Sequence, residues 1–265
     1  MQRAVEVVVI ISLVLVIALL LLLASEYLLP GESVRLLASF YLYATYNPSL
    51  PYYTVNSPQA VTAILWDYRG LDTLFETVVF YLAIIAGLAL ARRLYEESLR
   101  EGVDLSKSGL SLIVKTVARL TSPMIIAVGA SIALHGHLTP GGGFQGGATI
   151  AVAPMILIVV FSTLFLIKRG VTSDRMLFIV SLGLIGIGLT AISVFLIGLV
   201  VGRFAHVFQN MPKLNSPIGM PATIGNILIS GTLWFFNLFE MFAVATGFII
   251  AFVILMLIKG RWEVK

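Results

Sequence analysis

Two stretches of this chain put acids where acids are costly. In the segment 66–76 (WDYRGLDTLFE), Arg69, Asp72 and Glu76 stand at i, i+3 and i+7. On one helix that spacing gives them a common face. Asp67 and Asp72 are expected near the outer surface, with Arg69 able to pair with either and Glu76 one turn further in. Glu240 stands alone between Lys213 and Lys259, among Phe235, Phe236, Leu238, Phe239, Met241 and Phe242. At the centre of a bilayer a charged acid costs about 2.5–3.5 kcal/mol by insertion scales, so such a group faces protein or water. The chemistry that pays for this placement is transfer of a proton or cation from one carboxylate to the next. Two plainer readings stand beside it: an acid cluster at a helix start that complements the dipole and is locked by Arg69, and, for Glu240, a packing or assembly contact.

Other polar groups carry weaker signals. Lys115 and Arg119 lie one turn apart near the inner end of a span. Long basic side chains anchor there by snorkelling, and the sharper role for Lys115 is a partner to a carboxylate or part of a proton path. His135 and His137 precede a glycine turn, where an imidazole titrates near neutral pH or simply shapes the turn. No metal site is expected, because only His206 could join them and no acids cluster nearby. Gly141, Gly143 and Gly146 satisfy GxGxxG, but no strand precedes them and no acid follows about twenty residues on, so dinucleotide binding is rejected. Their physical use is a hairpin after Pro140. Gly142/Gly146 and Gly143/Gly147 form small-xxx-small pairs for close helix approach, with Gln145 as a polar contact. Nothing in the chain resembles a nucleophilic triad.

The elements that must hold these groups are membrane helices. Of 265 residues, 59% are hydrophobic and 11% charged, against roughly 25% charged in a soluble domain. Crossing about 30 Å of hydrocarbon takes roughly 20 helical residues. Stretches of that kind run over 7–25, 72–91, 117–134, 147–167, 176–201 and 232–258, with 222–231 read as a short or re-entrant segment before the last. The first exceeds the roughly 7–15 residues of a signal h-region and is expected to remain as a span. With six spans and both termini cytoplasmic, thirteen basic residues fall on the inner side or at inner helix ends and four (Arg35, Arg69, Arg203, Lys213) outside. The positive-inside rule therefore supports both count and direction. The net charge of +4 then reflects topology and gives no reason to expect nucleic acid. With no cysteine, thiolate-bound clusters, disulfides and cysteine nucleophiles are excluded from this chain.

Composition divides the chain near residue 105. All nine tyrosines lie at or before Tyr95, and eighteen of 23 glycines follow residue 110. The charged stretch 92–107 separates a two-helix part, 1–105, from a four-helix part, 106–265. The outer segment 26–66 carries Tyr27, Tyr41, Tyr43, Tyr46, Tyr52 and Tyr53. An interfacial helix over 33–46 would set tyrosines at headgroup level, before Pro48, Pro51 and Pro58 break regular structure. Anchoring or subunit contact is all that this segment suggests.

Residues 116–161, centred on LHGHLTPGGGFQGG (134–147), resemble the B subunit of Mrp-type multisubunit Na⁺/H⁺ antiporters, and the similarity continues through Asn226 and Glu240. Residues 61–80, with DYRGLDTLFE (67–76), are similar to the C-terminal extension of the antiporter A subunit, although Phe75 stands where that family often has glycine. Equivalent subunits occur in archaeal membrane-bound hydrogenases and sulfur reductases. The resemblance implies a fusion of two pieces within an ion-translocating complex related to the membrane arm of respiratory complex I. It makes Asp72, Glu76 and Glu240 the leading translocation residues, with His137 and Lys115 behind them.

The expectation is an all-α integral membrane protein with about six transmembrane helices, multi-pass in the cell membrane, that does no covalent chemistry and holds no cofactor itself. It would help move Na⁺ or H⁺ together with other membrane subunits, some of which would carry iron–sulfur clusters in a redox-driven complex. A stand-alone Na⁺/H⁺ antiporter and a purely structural scaffold are the rivals. A cytochrome-b-like carrier is disfavoured, because the histidines lie near outer helix ends.

Overall fold

The computed structural model describes residues 2–28, 34–101 and 110–262. The boundary near residue 105, with residues 102–107 of the charged stretch, lies outside the described residues. By packing, the chain divides elsewhere, into units Met1–Phe40 and Tyr41–Lys265.

The first unit is dominated by α1 (Gln2–Leu28), a helix of 27 residues. At 1.5 Å rise per residue it is about 40 Å long, enough to cross a bilayer. Its stretch Val9–Ala24 is apolar on every side. α2 (Leu36–Thr45) follows where the interfacial helix is expected, and it ends in the second unit.

The second unit is a helical bundle. Five helices are long and apolar enough to span: Gly70–Ala91, Leu112–Leu134, Gly143–Val160, Ser173–Val201 and Thr232–Met256. They belong to α4 (Gly70–Glu101), α5 (Leu112–Leu134), α6 (Gly143–Val160), α8 (Ser173–Val201) and α9 (Thr232–Trp262). α9 is the axis, packed by α8, α6 and α4, and it is the most buried of the five. α3 (Ala60–Ala63) and a π-helical turn (Ile64–Tyr68) lead into α4.

Glycine sets the closest approaches. A Cβ on Gly146 would lie 2.6 Å from the Gly129 carbonyl oxygen, so α6 meets the backbone of α5 there. On its other side, a Cβ on Gly147 would lie 2.8 Å from the Met241 carbonyl oxygen of α9. The small-residue pairs thus serve two faces of α6 rather than one.

Three expectations change. The helix read over 147–167 stops at Val160, and a short α7 (Thr163–Lys168) restarts after it. Ser162 takes φ 150° and its hydroxyl accepts from the Phe165 N–H at 3.2 Å, which caps the new helix. Residues 222–231 do not form a re-entrant helix. They form a hairpin, β1 (Thr223–Ile224) against β2 (Ile227–Leu228), antiparallel with Thr223 opposite Leu228. Gly225, at φ 59°, closes a turn too tight for a re-entrant helix. Finally, Arg69 does not share a helix with Asp72 and Glu76, because it sits between the π turn and α4.

Candidate functional site

The segment after Pro51, from which the sequence offered no chemistry, ties the bundle's loop end together. The Asn210 amide donates to the Val55 carbonyl at 3.2 Å, and the Ser230 hydroxyl to the Asn56 carbonyl at 2.6 Å. The Ser57 hydroxyl donates to the His137 carbonyl at 2.7 Å, and the Thr62 hydroxyl to the Gly136 carbonyl at 2.6 Å. Trp66 is fully buried and stacks on Phe236 with ring centroids 4.4 Å apart. These contacts fix the π turn and the glycine loop against the start of α9.

Between them lies a cavity of about 200 Å³. Its walls come from α3 and the π turn (Thr62, Leu65, Trp66), α4 (Thr73, Glu76), the glycine loop (Gly141, Gly142), α6 (Phe144, Gln145) and α9 (Asn237, Glu240). Both expected acids, 164 positions apart in sequence, therefore face one space. Glu76 lies six residues into α4 and Glu240 eight into α9, so each stands about 9–12 Å from its helix start. Glu240 is buried, while Glu76 is exposed at the cavity's edge, close enough to act electrostatically on Glu240. The Phe144 amide and the Trp66 indole hydrogen-bond to the Glu240 carboxyl.

Local backbone explains this arrangement. Gly141 and Gly142 take φ of 145° and 154°, which L side chains rarely adopt, and this turns the chain from the loop into α6. The first amide of α6, on Gly143, then donates to the Asn237 side-chain oxygen at 3.2 Å. A Cβ on Gly143 would stand 2.6 Å from the Glu240 carboxyl oxygen, so only glycine leaves room for that carboxyl. The other side-chain atom of Asn237, Nδ2, is buried with no protein partner. Asn237 is the residue that sequence reasoning missed. Its signal was available: a lone amide one turn before Glu240 in an otherwise apolar helix.

The remaining expected residues sit elsewhere. Asp72 does not line the cavity. It is exposed and paired with Arg69, whose Nε donates to it at 2.7 Å. Asp67, expected near Arg69, is instead buried against Lys213 at 3.6 Å. Burial raises its carboxyl above the usual range, and Lys213 opposes the shift. Next to it, burial and the Asp67 charge push the Tyr68 phenol up to about 12. His137 is buried behind the glycine loop with Nε2 2.8 Å from the Leu228 carbonyl oxygen, so Nε2 carries the hydrogen. Its Nδ1 has no partner, and burial lowers its pKa. Lys115 lies 19 residues before the end of α5, about 29 Å from the loop end. It does not line the cavity that holds the acids. Its neighbour Arg119 instead stacks over Phe161, 5.0 Å from the ring centroid.

Known proteins place this arrangement in context. A family model described as a domain related to the MnhB subunit of Na⁺/H⁺ antiporter matches residues 113–250. A chain of the membrane-bound sulfane sulfur reductase, an archaeal respiratory membrane complex, is 26% identical with a TM-score of 0.62, and 96% of this chain covers 98% of that one. A chain of the Mrp complex from Dietzia sp. DQ12-45-1b is 20% identical with a TM-score of 0.58, which shows likeness of fold alone. There, 95% of this chain covers 26% of the other. An uncharacterised protein of Methanocaldococcus jannaschii is 33% identical over 118 residues, 40% of this chain and 45% of that relative. The match thus spans less than half of that relative's length.

Proposed function

We propose a function from one premise: the chain belongs to the family of domains related to the MnhB subunit of the Na⁺/H⁺ antiporter. It is a multi-pass membrane subunit of an Mrp-like or related respiratory complex. Within it, Glu76 and Glu240 form one relay station for Na⁺ or H⁺, and the complex couples that movement to its other subunits. One observation carries this reading: two carboxyls from distant parts of the chain, on helices long and apolar enough to span, face one cavity with Asn237, Gln145 and Thr73. A scaffold has no need of such a cavity. Hydrogen-bond donors face Glu240, and the exposed edge at Glu76 lets an ion or water enter.

For the setting, a redox-driven complex of the sulfur reductase or hydrogenase kind is the better fit. The sulfur reductase chain matches this one end to end, at nearly equal length. Iron–sulfur clusters would then sit in partner subunits, since this chain has no cysteine. The orientation proposed is that of the charge pattern, with the glycine loop outside.

Carbodiimide labelling of the intact complex, mapped by mass spectrometry, tests the station. Modification at Glu76 or Glu240 that is suppressed by the transported ion is the expected result. Labelling indifferent to both Na⁺ and pH while transport continues would remove these residues from the path.

A further inference from the structure

The outward faces of the spanning helices are not alike. On α8 the exposed positions Phe178, Leu182, Ile185 and Leu189 are all apolar. On α4, Phe75, Val79 and Leu82 are similarly exposed, but Glu76 stands among them. Asp72, one turn nearer the helix start, is neutralised by Arg69. Glu76 has no such partner among the described residues, and none of the residues lining its cavity is basic. An apolar face suits lipid, whereas one with an open carboxylate inside the hydrocarbon does not.

We propose that this face of α4 is an interface, covered by a transmembrane helix of another subunit that brings a Lys, Arg or His side chain to Glu76. Charge complementarity selects this occupant. The apolar stretch of α1, Val9–Ala24, contains no charged residue and could supply no cation. Lipid tails offer none either. A basic helix set against Phe75, Val79 and Leu82 would cover this face of α4 and pair Glu76, which lacks a cation among the described residues. The inference rests on the membrane-subunit reading but not on ion movement.

The test places a photocrosslinking amino acid at Phe75 or Val79, and as a control at Leu182 of α8, in the intact purified complex. All three positions are exposed, so the fold tolerates the substitution. Expected from α4 is a mass-shifted adduct with one helix of another subunit, its attachment point within about one turn of a basic residue. Leu182 should give lipid adducts only. An adduct from α4 with lipid, with α1 or with a helix lacking a basic residue overturns the proposal, as does no adduct at all. In a second arm, Glu76→Lys should release that subunit, and replacing its basic residue with Glu should restore it. Retention of the subunit in Glu76→Lys counts against the pairing. These readouts do not depend on flux, so their failure is separable from failure of the relay.

Discussion

At Glu240 a carboxyl is held by a tryptophan indole, a backbone amide and a glycine that leaves it space. His137 shows a different solution, with one ring nitrogen spent on the Leu228 carbonyl and the other left bare. Because burial lowers its pKa below the ordinary 6.5, the folded state resists the second proton while the unfolded chain accepts it. Its contribution to stability is then complete above 6.5 and declines as pH falls through and below that value. His137→Gln keeps an N–H for Leu228 without a titrating group. Thermal unfolding in detergent should therefore fall more steeply for the wild type than for His137→Gln between about pH 7.5 and about pH 5.5. Equal slopes would contradict this account of His137. Glu240 was legible in the sequence because a charge in an apolar run is conspicuous. Asn237 and Thr62 were not, because neutral polar residues are common in membrane helices and the partners of these two, Gly143 and Gly136, are fixed only by the packed fold.

Among the elements, α6 bears the tightest constraint, wedged between α5 and α9 by Gly146 on one side and Gly143 and Gly147 on the other. Gly143→Ala would drive a methyl into both the Asn237 carbonyl oxygen and the Glu240 carboxyl. It should destabilise the chain by about 1–3 kcal/mol as overpacking does. Gly188→Ala on α8, where a Cβ would meet nothing within 4 Å, should leave stability unchanged. Thermal melts of the two variants check the pair, and equal melting temperatures would show that helix propensity, not contact, governs these glycines. All five spanning helices overlap long apolar runs that the sequence displays. The break at Ser162 and the hairpin over 223–228 could not be placed from such runs, because both depend on local turn geometry inside sequence that is still apolar. The π turn over Ile64–Tyr68 was hidden for a similar reason: its register follows from Trp66 being clamped on Phe236.

Across the whole molecule, five candidate spans and α1 give the chain its membrane character, and the split in composition does not coincide with a split in packing. α4, from the tyrosine-rich half, lies along α9 from the glycine-rich half, and each supplies one acid to the shared cavity. Neither acid has its cavity without the other part. Sequence could name both glutamates but not their meeting, since a contact across 164 positions is set by helix packing. Ion flux in proteoliposomes, normalised to assembled complex, tests that meeting most directly. Glu240→Gln and Glu76→Gln should each lose at least about tenfold in flux, about 1.4 kcal/mol in barrier height, with the full subunit set retained. Wild-type flux from either assembled variant would contradict a relay through the two carboxyls.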